Sequence, residues 1–301
     1  MALSVRETGR LDGERLPASD AKIVLKNISR IYQIKRNNDK GSTGFIALQD
    51  VNLQVRSGEL ISIVGPSGCG KSTLLDLIAG LARPNSGEIF IDGRLITGPA
   101  LDRGIILQGY ALFPWRVVLD NVAFGLEIKG VPRKERRAIS QQFIDLVGLQ
   151  GFEDRYPYEL SGGMKQRVAI ARALAYDPGV LLMDEPFAAV DAQTREVLQD
   201  ELLQIWDKTG KTIVFVTHSI EEAIYLSDRV AVMTPNPGTI KEVIEIKLPR
   251  PRQNSDIRSS AEFGWVRHKV RGLLQNGAFE KEPGQQTNQD VAEAISTEAT
   301  L

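Results

Sequence analysis

The chain has 301 residues, a formal net charge of −1 and 42% hydrophobic residues. That allows one large domain or two small ones, with no global field to draw it to nucleic acid. No apolar run approaches the roughly 18 to 20 residues a bilayer crossing needs. The first twenty residues lack the apolar core of a signal peptide, and the single cysteine, Cys69, leaves no internal disulfide. A cytoplasmic, reducing setting is therefore expected.

In chain order, residues 1–21 are polar and read as a loose tail. From Ile23 to about Arg103, short apolar runs alternate with turn signals. Arg36 to Gly44 reads as a hairpin loop. Ile61 to Val64 reads as a buried strand that ends at Gly65, and the spacing predicts a helix from Lys71 to about Leu81. The pattern turns helical from Pro132 to Tyr176. Three more strands are predicted, at Val180–Met183, Ile213–Thr217 and Arg229–Met233. Strands alternating with helices imply a mostly parallel sheet covered on both faces, with the helical middle as an insert. After Pro249 the chain becomes polar. One further helix is predicted there, starting near Ser259 with Glu262 at capping-box spacing. Phe263, Val266, Val270, Leu273 and Leu274 fall on one face of it, and Arg267, Lys269 and Arg271 on the other. Such a basic amphipathic helix can touch anionic lipid. Gly272 and the short length favour packing on its own domain. The tail from about Asn276 has a disordered composition.

The segment GPSGCGKST carries the best-defined chemistry. In this P-loop, Gly65, Gly68 and Gly70 let the backbone turn its N–H groups toward phosphate, with Pro66, Ser67, Cys69 and Thr73 completing the cradle. Lys71 reaches the β and γ phosphates, and the Ser72 hydroxyl can ligate Mg²⁺. Strand before and helix after are the context the motif requires. Cys69 sits beside a helix N-terminus and Lys71. Thiolate character and reactivity shielded by Mg-ATP are expected of it. The alternative is an inert sulfur turned into the core.

VLLMDEP places two carboxylates at a strand end. Asp184 is suited to Mg²⁺, and Glu185 to polarising the attacking water. Taken alone the pair also fits a solvated loop; the P-loop upstream favours the catalytic reading. His218 ends TIVFVTH, at the carboxyl end of a strand, where it can meet a γ phosphate or the water. Gln108 can reach metal or water with its amide oxygen. Tyr32 offers a ring for adenine, though a lone aromatic is also ordinary core.

In this order the motifs resemble the ATPase subunits of ATP-binding cassette (ABC) transporters over about residues 22–250. The resemblance covers the P-loop, Gln108, the signature Leu160 to Gln166, the acidic motif Val180 to Glu185, Asp191 and His218. It implies an α/β fold: a P-loop NTPase core, an antiparallel β subdomain and an inserted α-helical subdomain at about 112–175. Residues 251–301 form a C-terminal extension. It also implies ATP hydrolysis by a head-to-tail dimer with ATP and Mg²⁺, in which Lys71, Glu185 and His218 are catalytic and Ser72, Gln108 and Asp184 serve the metal. Ser161, Gly162, Gly163 and Gln166 then serve the partner's nucleotide, and Asp191 serves dimer communication. Ala188-Ala189-Val190 departs from the family pattern of a serine or threonine and a leucine before that aspartate.

Tyr110 to Gly130 and Thr234 to Arg252 further resemble the nitrate/sulfonate/taurine importer subfamily. That implies membrane permease subunits as direct partners, an extracytoplasmic solute-binding protein as an indirect one, and a peripheral place on the cytoplasmic face of the membrane. Phe113 and Trp115 would meet the permease, or else be core. Other readings are an exporter or lipid-shuttle ATPase, a soluble ABC ATPase acting on DNA or ribosomes, and a regulatory protein with a dead site. Single-cassette length and the absence of basic arms argue against the soluble ATPase; intact Lys71, Asp184, Glu185 and His218 argue against the dead site.

Overall fold

In the computed structural model, which describes residues 21–35, 42–254 and 256–279, two long strands come first. They are β1 (Ala21–Lys35) and β2 (Ser42–Arg56), followed by β3 (Leu60–Val64), α1 (Lys71–Ala79), β4 (Ser86–Ile91), β5 (Arg94–Leu95) and β6 (Arg103–Ile106). A helical stretch holds α2 (Val118–Val122), α3 (Phe124–Ile128), α4 (Arg133–Leu146) and α5 (Gly162–Ala175). Then come β7 (Val180–Asp184), α6 (Ala192–Thr209), β8 (Thr212–Thr217), α7 (Ile220–Leu226), β9 (Arg229–Thr234), β10 (Thr239–Glu245) and α8 (Ala261–Phe279). The expected tail over 1–21 lies outside the described residues apart from Ala21, as do most of the expected hairpin loop and the end of the C-terminal tail.

Two sheets form. One is antiparallel, in the order β2-β1-β4-β5; the other has the order β10-β9-β3-β8-β7-β6 and is parallel except for the edge strand β10. Side chains alternate across the larger sheet, as the pleat requires. Ile61, Ile63, Leu182, Val214 and Val216 face a core shared with β1, β2 and α1. Leu60, Leu181, Met183, Ile213 and Phe215 face a second core filled from α5, α6, α7 and α8. Both faces are thus buried, which is why the four central strands read as continuous apolar runs.

Register determines where the site lies. Val64 pairs with Thr217, Val216 with Asp184, and Met183 with Ile106. The carboxyl ends of β3, β8, β7 and β6 therefore lie along one edge. The residues that follow each strand are delivered there: Gly65, His218, Glu185 and, two past β6, Gln108.

The C-terminal segment is fastened to the rest of the chain. Arg252 is buried and donates to the carbonyls of Ile224 (3.1 Å), Tyr225 (2.7 Å) and Ser227 (2.9 Å), which closes the end of α7. Burial, with Arg250 adding to it, pushes its pKa down to about 10. Phe263, Val266 and Val270 are buried in the second core, so α8 packs on its own domain. Its cap differs from expectation. Ser260 Oγ, not Ser259, accepts from the Phe263 N–H (3.2 Å), because Ile257–Ser259 is wound as a 3₁₀ turn. The helix also runs on to Phe279, past the expected end near Asn276.

Candidate nucleotide site

The five residues of β3 are buried, and the chain then turns through Gly65 to Gly70 into α1. Gly68 (φ 79°) and Gly70 (φ 95°) are left-handed, a conformation that favours glycine. A Cβ on Gly65 would lie 2.5 Å from Cys69 Sγ and 2.9 Å from the Met233 carbonyl. The loop can tuck down only because that Cβ is missing. Lys71 is buried, and its ammonium donates to the carbonyls of Gly65 (2.8 Å) and Pro66 (3.1 Å). These bonds hold the charge inside the loop, with the N-terminus of α1 behind it.

Cys69 corrects an expectation. Its side chain is fully buried against Gly65 and belongs to the first core. Burial pushes the thiol pKa up, outweighing the Lys71 charge and the backbone hydrogen bonds that pull it down. Desolvation of the thiolate outweighs the local anion-site field.

Beside the loop is a cavity of about 270 Å³ lined by Tyr32, Phe45, Ser67, Lys71, Ser72 and Glu185 among others. Tyr32 is 37% exposed and Phe45 41%. The two pair directly across β1 and β2, so both rings stand on one face. Sequence reasoning missed Phe45, because only the strand register makes it the neighbour of Tyr32. The Arg30 guanidinium lies 4.7 Å from the Tyr32 ring.

Asp184 lies beside the Ser72 side chain, which favours its charged form, while its Oδ1 is buried without a hydrogen-bond partner. Burial raises its pKa, the charges of Glu185 and Asp76 add to this, and Ser72 and Lys71 oppose it. An orphaned carboxylate oxygen beside a serine hydroxyl is a hard-oxygen donor set that fits Mg²⁺. Among the described residues no cluster of three or more His, Cys, Asp or Glu could hold an ion alone. Phosphate oxygens would have to complete the shell. Gln108 is exposed and makes no hydrogen bond to Ser72 or Asp184. The loop that follows it is tied to α5, whose Arg172 donates to the carbonyls of Tyr110 (2.9 Å) and Ala111 (2.6 Å).

Glu185 has φ 43°, a left-handed conformation that costs a non-glycine residue about 1–3 kcal/mol. The turn is held by two backbone bonds: Glu185 N–H to the Val216 carbonyl (2.9 Å) and Ala188 N–H to the Glu185 carbonyl (3.1 Å). It brings Glu185 Oε2 to 3.2 Å from His218 Nδ1. The imidazole itself is well exposed, at 62% of its side chain.

The signature lies apart from the P-loop, with no hydrogen bond between the two segments among the described residues. Ser161 caps α5, its Oγ accepting from the Met164 N–H (3.3 Å). Ser161 is exposed and Gly162 half-buried. A Cβ on Gly163 would meet Thr194 Cγ2 at 2.9 Å, so this glycine lets α5 approach α6. Gln166 is fully buried and neither polar atom of its amide has a partner, so it does not share the exposed face of Ser161. Asp191 caps α6, its Oδ1 accepting from the Thr194 N–H (2.9 Å), and the Thr194 hydrogen bonds push its pKa down.

Residues 48–188 match the family model described as ABC transporter. An uncharacterized ABC transporter ATP-binding protein of Methanocaldococcus jannaschii is 54% identical over 255 residues, 85% of this chain and 92% of that one. A nitrate import ATP-binding protein of Synechocystis sp. is 48% identical, covering 86% and 97%. An aliphatic sulfonates import ATP-binding protein of Bacillus cereus is 50% identical, covering 83% and 96%. Among solved structures, a bacterial ABC transporter cassette determined as a dimer superposes with a TM-score of 0.65 at 34% identity, over 75% of this chain and 99% of that one. No helix among the described residues is long and apolar enough to cross a membrane. One ATPase cassette thus carries the phosphate loop, the strand-end acids and, apart from them, the capped signature, and the chain belongs to the ABC transporter family.

Proposed function

We propose that this chain is the ATP-hydrolysing subunit of an importer for small anions of the nitrate or sulfonate class, taurine-like solutes included. It works as a dimer on the cytoplasmic face of the membrane. Permease subunits are its direct partners, a solute-binding protein an indirect one, and nucleic acid is not a partner. The observation that carries this reading is the alignment of four strand ends, which sets the phosphate loop, Asp184, Glu185 and His218 along one edge. The import function of the nitrate and sulfonate relatives supports the cargo class.

In this reading residues 22–250 form the cassette, with its helical part at about 112–175. Tyr32, with Phe45, meets adenine, and the loop Gly65–Thr73 wraps the phosphates. Lys71 trades its carbonyl partners for β and γ oxygens. Ser72 and Asp184, with Gln108, would hold Mg²⁺, and the ion would supply charge neutralisation for the transferred phosphoryl group. Glu185 orients a water and accepts its proton as the water oxygen bonds to the γ phosphorus. The bond to the β-bridging oxygen breaks, and ADP and phosphate result. His218 fixes Glu185 and the γ phosphate relative to each other. Ser161, Gly162 and Gly163 of a second copy present their N–H groups to that phosphate, and Gln166 supports them from inside. Asp191 links the two sites.

The test is Glu185→Gln. ATP should still bind, turnover should fall by at least about a hundredfold, and gel filtration with ATP should show a dimer that does not dissociate. Hydrolysis near the wild-type rate would remove Glu185 from the chemistry. Lys71→Ala should differ by losing nucleotide affinity itself.

A further inference from the structure

The two residues beside His218 are held by a buried hydrogen-bonded chain that ends in the C-terminal extension. Thr217 is 2% exposed, and its hydroxyl donates to Glu222 Oε2 (2.5 Å). The Ser219 N–H donates to that same hydroxyl (3.0 Å), and Ser219 Oγ accepts from the Glu222 N–H (3.3 Å). His218 is thus clamped between two residues that share one partner, Glu222, itself 6% exposed. The other oxygen, Glu222 Oε1, accepts from Gln199 Nε2 (2.9 Å) on α6. Gln199 is 3% exposed, and its Oε1 accepts from the Arg258 guanidinium (2.7 Å). Arg258 lies in the 3₁₀ turn before α8, stacks on the Tyr225 ring at 4.3 Å and pairs with Glu196 at 3.7 Å.

The polarity of this chain has one consistent direction. An amide carries donors on nitrogen and acceptors on oxygen. Because Arg258 offers only donors, it fixes the Gln199 oxygen outward and the nitrogen toward Glu222. Without Arg258 the Glu222 carboxylate still draws the amide nitrogen inward, but the buried Gln199 oxygen is left without a donor. That unpaired oxygen weakens the hold of the amide and loosens the clamp on Thr217 and Ser219.

We propose that Arg258, Gln199 and Glu222 are positioning residues for His218, so that the C-terminal extension acts on ATP hydrolysis from outside the nucleotide site. The inference rests on the catalytic role proposed above for His218. It gives residues after Pro249 a job that none of the nucleotide-site motifs supplies.

The full chain has only two histidines, His218 and His268, so the imidazole NMR signals are simple to assign with a His268→Gln reference. Arg258→Met keeps the cover over Tyr225 and removes the donor; Arg258→Lys keeps a donor and is the variant least able to disturb folding. We expect the His218 signal to move in Arg258→Met and to return most of the way in Arg258→Lys. We also expect kcat for ATP to fall about fivefold to tenfold with KM within about twofold, in line with coupling between linked residues. In single-turnover hydrolysis, Arg258→Met added to His218→Ala should cost nothing further. A His218 signal unchanged in both Arg258 variants, or an equal loss of rate with and without the histidine, would overturn the brace. Full-rate hydrolysis by His218→Ala would instead overturn the role of the histidine, and the NMR arm would still decide whether Arg258 positions it.

Discussion

Asp184 carries a cost that its neighbours only partly offset. The Ser72 side chain favours the carboxylate, while Oδ1 is buried without a hydrogen-bond partner. Burial raises its pKa above the unfolded value. The folded state therefore holds that proton more tightly, and this contribution to stability is lost as pH rises through the folded value. At neutral pH the carboxylate is a liability until a cation arrives. Asp184→Asn should accordingly stabilise the ligand-free protein at pH 7 by ~1 kcal/mol, the scale of one unsatisfied buried group. A thermal melt should register this as about 2–4 °C. The gain should shrink toward acid pH, and Mg²⁺-dependent hydrolysis should collapse. An equal or lower melting temperature at pH 7 would mean that the orphaned oxygen costs nothing. Cys69 teaches the complementary lesson. The sequence places it among N–H donors and a lysine, and a local argument makes it reactive. Its sulfur instead fills the space left by Gly65. A thiol count with a maleimide or a chromogenic disulfide should therefore find essentially no reactive thiol in the native protein and one in denaturant. Rapid native labelling would show that the loop opens far more readily than this packing allows. Lys71, Asp184, Glu185 and His218 could be singled out as candidates because each has a motif. The left-handed turn at Glu185 and the Tyr32–Phe45 pair were not, since one depends on a backbone dihedral and the other on strand register.

At the scale of elements, the turn between β9 and β10 holds a residue that no motif marks. Gly238 donates its N–H to the Ala47 carbonyl (3.1 Å) and accepts from the Gln49 N–H (3.0 Å). A Cβ there would fall 2.2 Å from the Cys69 carbonyl and 2.7 Å from the Ala47 carbonyl. Both obstacles are backbone, so neither can rotate away. Gly238→Ala should push on the phosphate loop from below, at about 1–3 kcal/mol. A nucleotide titration should show weaker ATP binding alongside a lower melting temperature. Gly264, inside α8, has nothing within 4 Å of its would-be Cβ. Gly264→Ala should raise stability by about 0.5–1 kcal/mol on helix propensity alone and leave ATP binding untouched. If the two alanines behave alike, close approach of the turn is not what Gly238 provides. The central strands were readable to within one residue because burial on both faces leaves apolar runs. The long pairing of β1 with β2 was not readable, since register shifts interrupt its alternation. The start of α8 slipped by one serine because Ser259 and Ser260 look alike until the 3₁₀ turn before them is known.

For the whole molecule, the segment between β6 and β7 is the part of the cassette best placed to face another protein. Trp115 is 72% exposed, Tyr158 73% and Ile128 60%, so Trp115 is not core. The loop that displays Trp115 is nonetheless braced from within. Buried Asn121 accepts from the Phe113 N–H (2.9 Å) and donates to the carbonyls of Phe113 (3.2 Å) and Arg116 (2.8 Å). The Phe113 ring packs against Phe124 at 4.6 Å and against Trp115 at 5.7 Å. A large aromatic held in water by a preorganised loop loses little entropy on docking, and truncating it costs the free domain little. Trp115→Ala should therefore melt within about 1 °C of the wild type and bind ATP equally well, while failing to co-purify with permease subunits or to drive uptake. Asn121→Ala should do the reverse in the isolated domain, costing about 1–3 kcal/mol through the backbone groups it leaves unpaired. A clear drop in the stability of isolated Trp115→Ala would make the tryptophan a folding residue. Normal assembly and uptake in that variant would move the permease surface elsewhere on the cassette.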